Sequence, residues 1–271
     1  GAGGGVTAEI LAQAGLKVII VEEGPLRTTG DFQMREADAY PSLYQESAAR
    51  KTADKAVNIL QGRCVGGSTT VNWTSSFRTP PDTLRWWQSA HGLQSLSVDA
   101  MAPWFARMEK RLHVGLWPIP PNENNAMLAR GAEKLNIPVA VIPRNVKQCW
   151  NLGYCGMGCP TNAKQSMLLT TLPAALDLGA TLISRLRAER LEFDGRRASR
   201  LIASALKIDG LNTSGVRVTV EARHFVLAGG AINTPALLLR SKASDPHKLL
   251  GKRTFLHPTL ISSGLFAQEI R

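Results

Sequence analysis

The sequence has 271 residues, of which 44% are hydrophobic, so it can form one large domain or two small ones around a substantial core. None of its apolar runs approaches the roughly 20 residues of a membrane-spanning helix, and we expect no membrane span. The net charge of +11 comes from basic residues scattered among acidic and apolar ones. Without a basic stripe studded with aromatic residues, this charge argues against a nucleic-acid-binding protein.

The first 24 residues have the order of a dinucleotide-binding βαβ unit. A glycine cluster over residues 1–5 opens a predicted helix that ends at Gly15, and residues 17–22 predict a buried parallel strand that ends on Glu22. If Gly1 and Gly4 are the second and third glycines of a G-x-G-x-x-G fingerprint, Glu22 follows at about the expected distance. The strand that normally precedes the fingerprint would then be missing from the sequence.

The rest of the chain predicts helical insertions and an antiparallel meander. Helices are predicted near residues 41–51, 80–113, 124–135, 167–178 and 231–240. Antiparallel strands are predicted over residues 181–184, 190–193, 201–208 and 216–220, with turns at Asp194-Gly195 and Asp209-Gly210, and a buried strand over 224–228. The fold class is therefore α/β: a Rossmann-like FAD/NAD(P)-binding domain over residues 1–271 with a parallel sheet, a meander and a helical and cysteine-loop insertion at about 80–165.

A second glycine-rich stretch runs from Gly62 to Asn72, with the sequence GRCVGGSTTVN. Its glycines let backbone pass close to a flat or phosphorylated ligand, and its serine, threonine and asparagine side chains offer hydrogen bonds beside it. A surface loop is the alternative interpretation, but Val65 and Val71 bracket the stretch with apolar anchors.

This stretch resembles the first signature of the glucose–methanol–choline (GMC) oxidoreductases, which bind FAD. The signature G-R-x-(aliphatic)-G-G-(S/T)-(S/T)-x-(aliphatic)-N fits residues 62–72 throughout, although Ser76 stands where an aromatic residue or alanine is expected. Residues 230–241 are similar to the second signature until Lys242 replaces its final glycine, and residues 251–258, GKRTFLHP, are like the segment that follows.

The resemblance implies positions for the cofactor. Gly1, Gly3 and Gly4 would face the FAD pyrophosphate and Glu22 its adenosine ribose. The first signature would lie along the pyrophosphate and the isoalloxazine ring, with Gly62, Arg63, Gly66, Gly67, Ser68 and Asn72 as its cofactor-binding residues. Gly230 and Asn233 would close over the ribityl–phosphate region. Some members bind FAD covalently through a histidine before the asparagine; Val71 stands there, so we expect non-covalent FAD.

Three cysteines, Cys149, Cys155 and Cys159, have the spacing C-x5-C-x3-C followed by proline. Thiolates in such a glycine-rich loop can hold an iron–sulfur cluster, and three of them suit a three-iron cluster. This spacing is similar to that of FAD-dependent sugar dehydrogenases that pass electrons to a cytochrome. A loop fixed by thiols or a disulfide is the alternative, and zinc lacks an evident fourth ligand.

The resemblance implies an FAD-dependent oxidation of an alcohol CH–OH group to a carbonyl, with oxygen, a cytochrome or another acceptor reoxidising the flavin. A bulky long-chain or sterol-like alcohol and a bacterial cytoplasmic or periplasmic enzyme are expected. The family's catalytic histidine belongs to a C-terminal substrate domain absent from these residues, so no catalytic residue is assigned; for His257 packing is favoured. The 271 residues alone are expected to bind FAD poorly.

Two other function classes remain open. One is an FAD-containing lyase of the same fold, similar to hydroxynitrile lyases. The other is a non-catalytic flavin-binding or electron-transfer module. A nicotinamide enzyme is disfavoured, because the second glycine stretch has no role in a simple NAD-binding fold.

Overall fold

The computed structural model describes residues 1–255 and 263–270. The chain divides into two compact units, one of residues 1–74 and 147–254, the other of residues 75–146 and the described residues from 255 onward. Among the described residues, no helix combines the length and the apolar character that crossing a membrane requires. His257 lies outside the described residues.

The described residues form both helices and strands. The helices are α1 Ala2–Gln13, α2 Glu36–Leu43, α3 Ser68–Val71, α4 Pro81–His91, α5 Val98–Arg111, α6 Glu123–Lys134, α7 Thr171–Asp177 and α8 Gly230–Arg240. The strands are β1 Ile19–Val21, β2 Val114–Gly115, β3 Arg144–Asn145, β4 Thr181–Ile183, β5 Leu186–Asp194, β6 Arg197–Leu206 and β7 Thr213–Glu221. Short 3-10 turns cover Thr29–Asp31, Gln45–Ala48, Gln94–Leu96 and Cys155–Met157.

In the first unit, α1 packs on α7 beside a short parallel sheet. Small side chains allow this close packing, since a Cβ atom on Gly5 would lie 2.7 Å from the Thr171 hydroxyl and 2.9 Å from Met167. Ala8, Ala12 and Ala175 form the buried core between the two helices. The parallel sheet pairs β1 with β4. The prediction that residues 181–184 belong to the meander is therefore wrong: Thr-Leu-Ile is compatible with either strand direction, and its partner is β1.

The meander consists of β5, β6 and β7 in antiparallel order. The predicted turns are present: Gly195 has a φ of +57° between β5 and β6, and Asp209 accepts hydrogen bonds from the backbone N–H groups of the loop before β7. The buried strand predicted over 224–228 is wrong for the described part of the chain. No described strand pairs with this segment, and Val226 is 56% exposed.

Two helix predictions also need correction. The helix expected over 80–113 is two helices, because α4 ends at Gly92, which adopts a left-handed conformation with a φ of +65°. The helix expected near 41–51 ends early: α2 stops at Leu43, and residues 46–48 form a left-handed turn.

The second unit contains α4, α5, α6 and the antiparallel ribbon of β2 and β3. Arg78 makes two hydrogen bonds of 2.6 Å to the Glu109 carboxylate on α5. Ser97 and Asn122 cap the N-termini of α5 and α6 with their side chains. The cysteine loop, in contrast, belongs to the first unit.

Candidate functional site

Two of the three glycine segments found in the sequence are in direct contact. We call residues 1–5 the first glycine segment, 62–72 the second and 229–233 the third. A Cβ atom on Gly67 would lie 2.7 Å from Gly1 Cα and 2.8 Å from Gly1 N. Two segments more than 60 residues apart in the chain therefore meet backbone to backbone, which only glycine permits at this distance.

The second segment folds tightly on itself. Gly67, at the start of α3, has a φ of +56° and a ψ of −146°, a conformation that other residues rarely adopt. The Gly62 N–H donates to the Ser68 hydroxyl over 2.9 Å, and a Cβ atom on Gly62 would lie 2.6 Å from the Ser68 nitrogen. The predicted loop is thus a compact turn in which Gly66 and Gly67 are buried.

The third segment is linked to the other two through the residues that directly precede the third and second segments, Ala228 and Gln61. Ala228, just before it, lies beside the first segment, because a Cβ atom on Gly4 would be 3.3 Å from the Ala228 methyl group and one on Gly3 3.9 Å. On the other side, Gln61 donates from Nε2 to the Gly229 carbonyl over 3.3 Å. The starts of α1 and α8 consequently gather around one place. Helix N-termini carry unpaired N–H groups and partial positive charge, which suit an anionic ligand.

Glu22 directly follows β1 and remains able to accept hydrogen bonds. Its Oε1 accepts from the Gly24 N–H over 2.8 Å, whereas Oε2 has no hydrogen-bond partner among the described residues. Burial raises the pKa of this carboxyl group, and the Gly24 hydrogen bond partly opposes the shift. An acid with a free oxygen after the first Rossmann helix is the arrangement that receives ribose hydroxyls.

The side chain of Arg63 is held by contacts with Glu23 and Gly210. It is buried, its Nε donates to Glu23 over 2.9 Å, and its Nη2 donates to the Gly210 carbonyl. Arg187 also donates to the same Glu23 oxygen over 3.2 Å. Arg63 therefore fixes the start of the second segment through a buried ion pair with Glu23.

Asn72, at the end of the second segment, is held by a buried lysine. Lys164 Nζ donates to the carbonyl groups of Thr70 over 2.9 Å, Asn72 over 2.5 Å and Cys155 over 2.6 Å. Lys164 is only 2% exposed. No sequence pattern marks this residue, because its partners are backbone carbonyl groups that any residue could supply.

The cysteine loop does not hold its thiols as a ligand set. Cys149 accepts a hydrogen bond from the Asn151 N–H, and Cys159 exchanges one with the Thr161 hydroxyl. Burial raises the pKa of Cys159, but hydrogen bonds from Thr161 and from backbone N–H groups outweigh it and lower the pKa overall. Within residues 1–255 and 263–270, no group of three or more His, Cys, Asp or Glu side chains is arranged to hold a metal ion. The iron–sulfur interpretation of Cys149, Cys155 and Cys159 is therefore not supported.

Two polar residues outside the predicted motifs lie beside the third segment. Arg50 donates from Nη1 to Gln61 over 3.1 Å and to Asn233 over 3.0 Å. Gln61 directly precedes the second segment, and this position is the one signal that could have identified it; no sequence pattern marks Arg50.

Comparison with known proteins shows the family of this chain. Residues 40–259 match the family described as GMC oxidoreductase. An uncharacterized GMC-type oxidoreductase of Mycobacterium tuberculosis is 35% identical over 273 residues, covering 100% of this chain and 42% of the relative. Long-chain-alcohol oxidase FAO4B of Arabidopsis thaliana is 31% identical over 275 residues, covering 99% of this chain and 36% of the relative.

Among solved structures, pyridoxine 4-oxidase from Mesorbium loti has a TM-score of 0.67 at 20% identity, covering 92% of this chain and 51% of the other. Formate oxidase of Aspergillus oryzae RIB40 has a TM-score of 0.61 at 14% identity, covering 89% of this chain and 46% of the other. These likenesses show the fold. The chain spans less than half of the length of the two curated relatives, 42% of the one and 36% of the other.

Proposed function

Because the chain belongs to the GMC oxidoreductase family, we propose that it forms the FAD-binding part of an enzyme that oxidises the CH–OH group of an alcohol to a carbonyl group. The observation that carries the proposal is the contact of the first two glycine segments, with the third linked to them through Ala228 and Gln61. A single Rossmann fingerprint would serve any dinucleotide, but the second and third segments extend the site beyond one fingerprint.

The described residues fit an extended dinucleotide. The backbone contact of Gly67 with Gly1 leaves no side chain at the start of α1, where a pyrophosphate binds to helix N–H groups. Glu22 offers its unpaired Oε2 to ribose hydroxyls. We further propose three groups of cofactor-binding residues: Gly3 and Gly4 beside the pyrophosphate, Gly62, Gly66, Gly67, Ser68 and Asn72 along the flavin side, and Gly230 and Asn233 beside the ribityl–phosphate region.

When bound, FAD supplies a hydride acceptor at flavin N5 for the alcohol carbon. The residues of this chain bind and orient the cofactor: the glycine segments admit it closely, the starts of α1 and α8 favour its phosphates, and Lys164 holds the carbonyl groups of Thr70 and Asn72 in place. The base that takes the hydroxyl proton is not assigned to these residues.

We propose that FAD is bound without a covalent link. Val71 is 5% exposed and packs in an apolar cluster with Phe32, Leu43 and Cys64. Burial raises the pKa of the Cys64 thiol to about 12, so this neighbour is protonated at neutral pH. Precipitation of the protein with acid should release all of the yellow colour into the supernatant.

For the substrate, we propose a long-chain or otherwise bulky alcohol, with oxygen as the electron acceptor. Support comes from the long-chain-alcohol oxidases of Arabidopsis thaliana among the relatives.

The test is the absorption spectrum of the purified full-length protein, recorded without oxygen before and after adding a long-chain alcohol. We expect the two visible bands of oxidised flavin, which the alcohol bleaches and air restores. Folded protein without these bands would refute the cofactor assignment. Persistent bands with every alcohol tried, together with turnover of a cyanohydrin, would instead indicate a flavin-containing lyase.

A further inference from the structure

Arg50 joins two of the glycine segments through a group of polar side chains. Its Nε donates to Glu46 over 2.8 Å, and its Nη1 donates to Gln61 over 3.1 Å and to Asn233 over 3.0 Å. The Arg50 side chain is only 14% exposed. We call Glu46, Arg50, Gln61 and Asn233 the Arg50 cluster.

The Arg50 cluster fixes the orientation of both amide side chains. Since arginine can only donate, Arg50 determines which end of each amide group it faces: Oδ1 of Asn233 and Oε1 of Gln61. The Gln61 amide then presents Nε2 to the Gly229 carbonyl, where it donates over 3.3 Å. Asn233 lies in the first turn of α8. Because Arg50 occupies its Oδ1, the two N–H groups of Nδ2 are left to donate to another acceptor. Arg50 thereby links Asn233 of the third segment to Gln61, the residue that directly precedes the second segment.

The backbone that carries Glu46 is held in an unfavourable conformation. Glu46 and Ser47 have φ values of 52° and 54°, each with a ψ of 37°, and Ala48 has a φ of 65°. Left-handed backbone is unfavourable for residues other than glycine, and it persists only where surrounding contacts determine it. The Glu46–Arg50 ion pair is such a contact, because it anchors this turn to the glycine segments.

We propose that Arg50 is a positioning residue of the cofactor site, which sets the relative placement of the second and third glycine segments and directs the Asn233 amide donors toward the bound cofactor. The inference rests on the proposed function, since the cofactor is FAD. The planar fork of arginine is required, because one nitrogen must reach two amide oxygens while another pairs with Glu46. A lysine ammonium group has the charge but not this geometry.

The test compares Arg50→Gln and Arg50→Lys with the wild type in the full-length FAD-loaded protein. We measure the rate of FAD release after dilution into cofactor-free buffer and the visible circular dichroism of the bound flavin. Both variants should release FAD at least about tenfold faster, equivalent to about 1.4 kcal/mol, with an altered flavin dichroism. Arg27→Gln is the matched control, because Arg27 forms an i,i+4 ion pair with Asp31 and, among the described residues, makes no hydrogen bond or ion pair to a glycine segment; it should leave both signals unchanged.

Gln61→Leu provides a second route should the Arg50 variants fold poorly. It should also speed FAD release, and combining it with Arg50→Gln should add little, because both changes break the same chain of hydrogen bonds. Wild-type release rates in the Arg50 variants, full rescue by Arg50→Lys, or additive effects of the two changes would overturn the positioning role. A wild type that carries no flavin would refute the proposed function itself, which is a different result.

Discussion

The substitution Gly67→Ala tests the contact between the first two glycine segments. Alanine at a φ of +56° and a ψ of −146° costs about 1–3 kcal/mol in backbone strain. The added Cβ would also lie 2.7 Å from Gly1 Cα and 2.8 Å from Gly1 N, and relieving overlap with backbone atoms costs about 1–3 kcal/mol more. Because alanine restricts the unfolded chain more than glycine does, about 0.4–1 kcal/mol of this loss in stability is offset. We expect the full-length protein to lose about 1–5.5 kcal/mol in unfolding free energy.

Two matched variants separate the causes of this loss. Gly62→Ala introduces overlap without a positive φ, since its Cβ would lie 2.6 Å from the Ser68 nitrogen, and it should cost less than Gly67→Ala. Gly30→Ala meets no atom within 4 Å and should be close to neutral. Urea unfolding followed by circular dichroism gives the three free energies, and FAD release gives the effect on the site. If Gly67→Ala lost no more stability than Gly30→Ala, the backbone contact with Gly1 would be refuted.

Three further predictions concern residues around the site. The raised pKa of Glu22 means that the folded protein binds this proton more tightly than the unfolded chain does. The stability that comes from protonated Glu22 is therefore complete below the ordinary carboxyl pKa of 4.5, and it disappears as the pH rises through the folded-state pKa. The Glu22→Gln variant without cofactor should therefore be more stable than the wild type at neutral pH, and this gain should vanish in acid. Its affinity for FAD should fall by about tenfold. If the stability of variant and wild type changed with pH in the same way, the raised pKa would be contradicted. Lys164→Met leaves three carbonyl groups without their donor and should cost about 2–4 kcal/mol, which urea unfolding against an exposed control such as Lys51→Met would measure. Elemental analysis should find no iron in the full-length protein, and Cys159→Ser should keep the flavin spectrum; stoichiometric iron would restore the cluster interpretation.

Local patterns in the sequence predict the parts of the site that local backbone geometry determines. Glycines at fixed spacing mark where the chain must turn tightly or approach a ligand, and Glu22 follows from its distance beyond the first segment. The meander turn at Asp194-Gly195 follows in the same way, because Gly195 alone supplies the positive φ that the turn needs. Each of these features depends on residues that lie within about 20 positions of one another in the chain.

Features that depend on distant partners could not be predicted in this way. The hydrogen bond between Arg50 and Asn233 spans 183 residues, and neither residue belongs to a pattern that would suggest the other. The direction of β4 likewise depends on β1, which lies about 160 residues earlier in the chain. In residues 224–228 an apolar run predicted burial, but burial requires a neighbouring strand that the described residues do not supply.

The cysteine loop shows how spacing alone can mislead, because its glycines account for its path better than its thiols do. A Cβ atom on Gly158 would overlap the ring of Phe32, and one on Gly156 would lie 3.4 Å from the Tyr44 hydroxyl. That hydroxyl donates to the Gly156 carbonyl over 2.6 Å, while the neighbouring Cys155 carbonyl accepts from Lys164. The loop therefore contacts the rest of the first unit through its backbone. Lys164 connects it to Asn72 at the end of the second glycine segment, because it donates to the carbonyl groups of both Cys155 and Asn72. A segment whose thiols predicted a metal site thus supports the candidate cofactor site through its carbonyl groups.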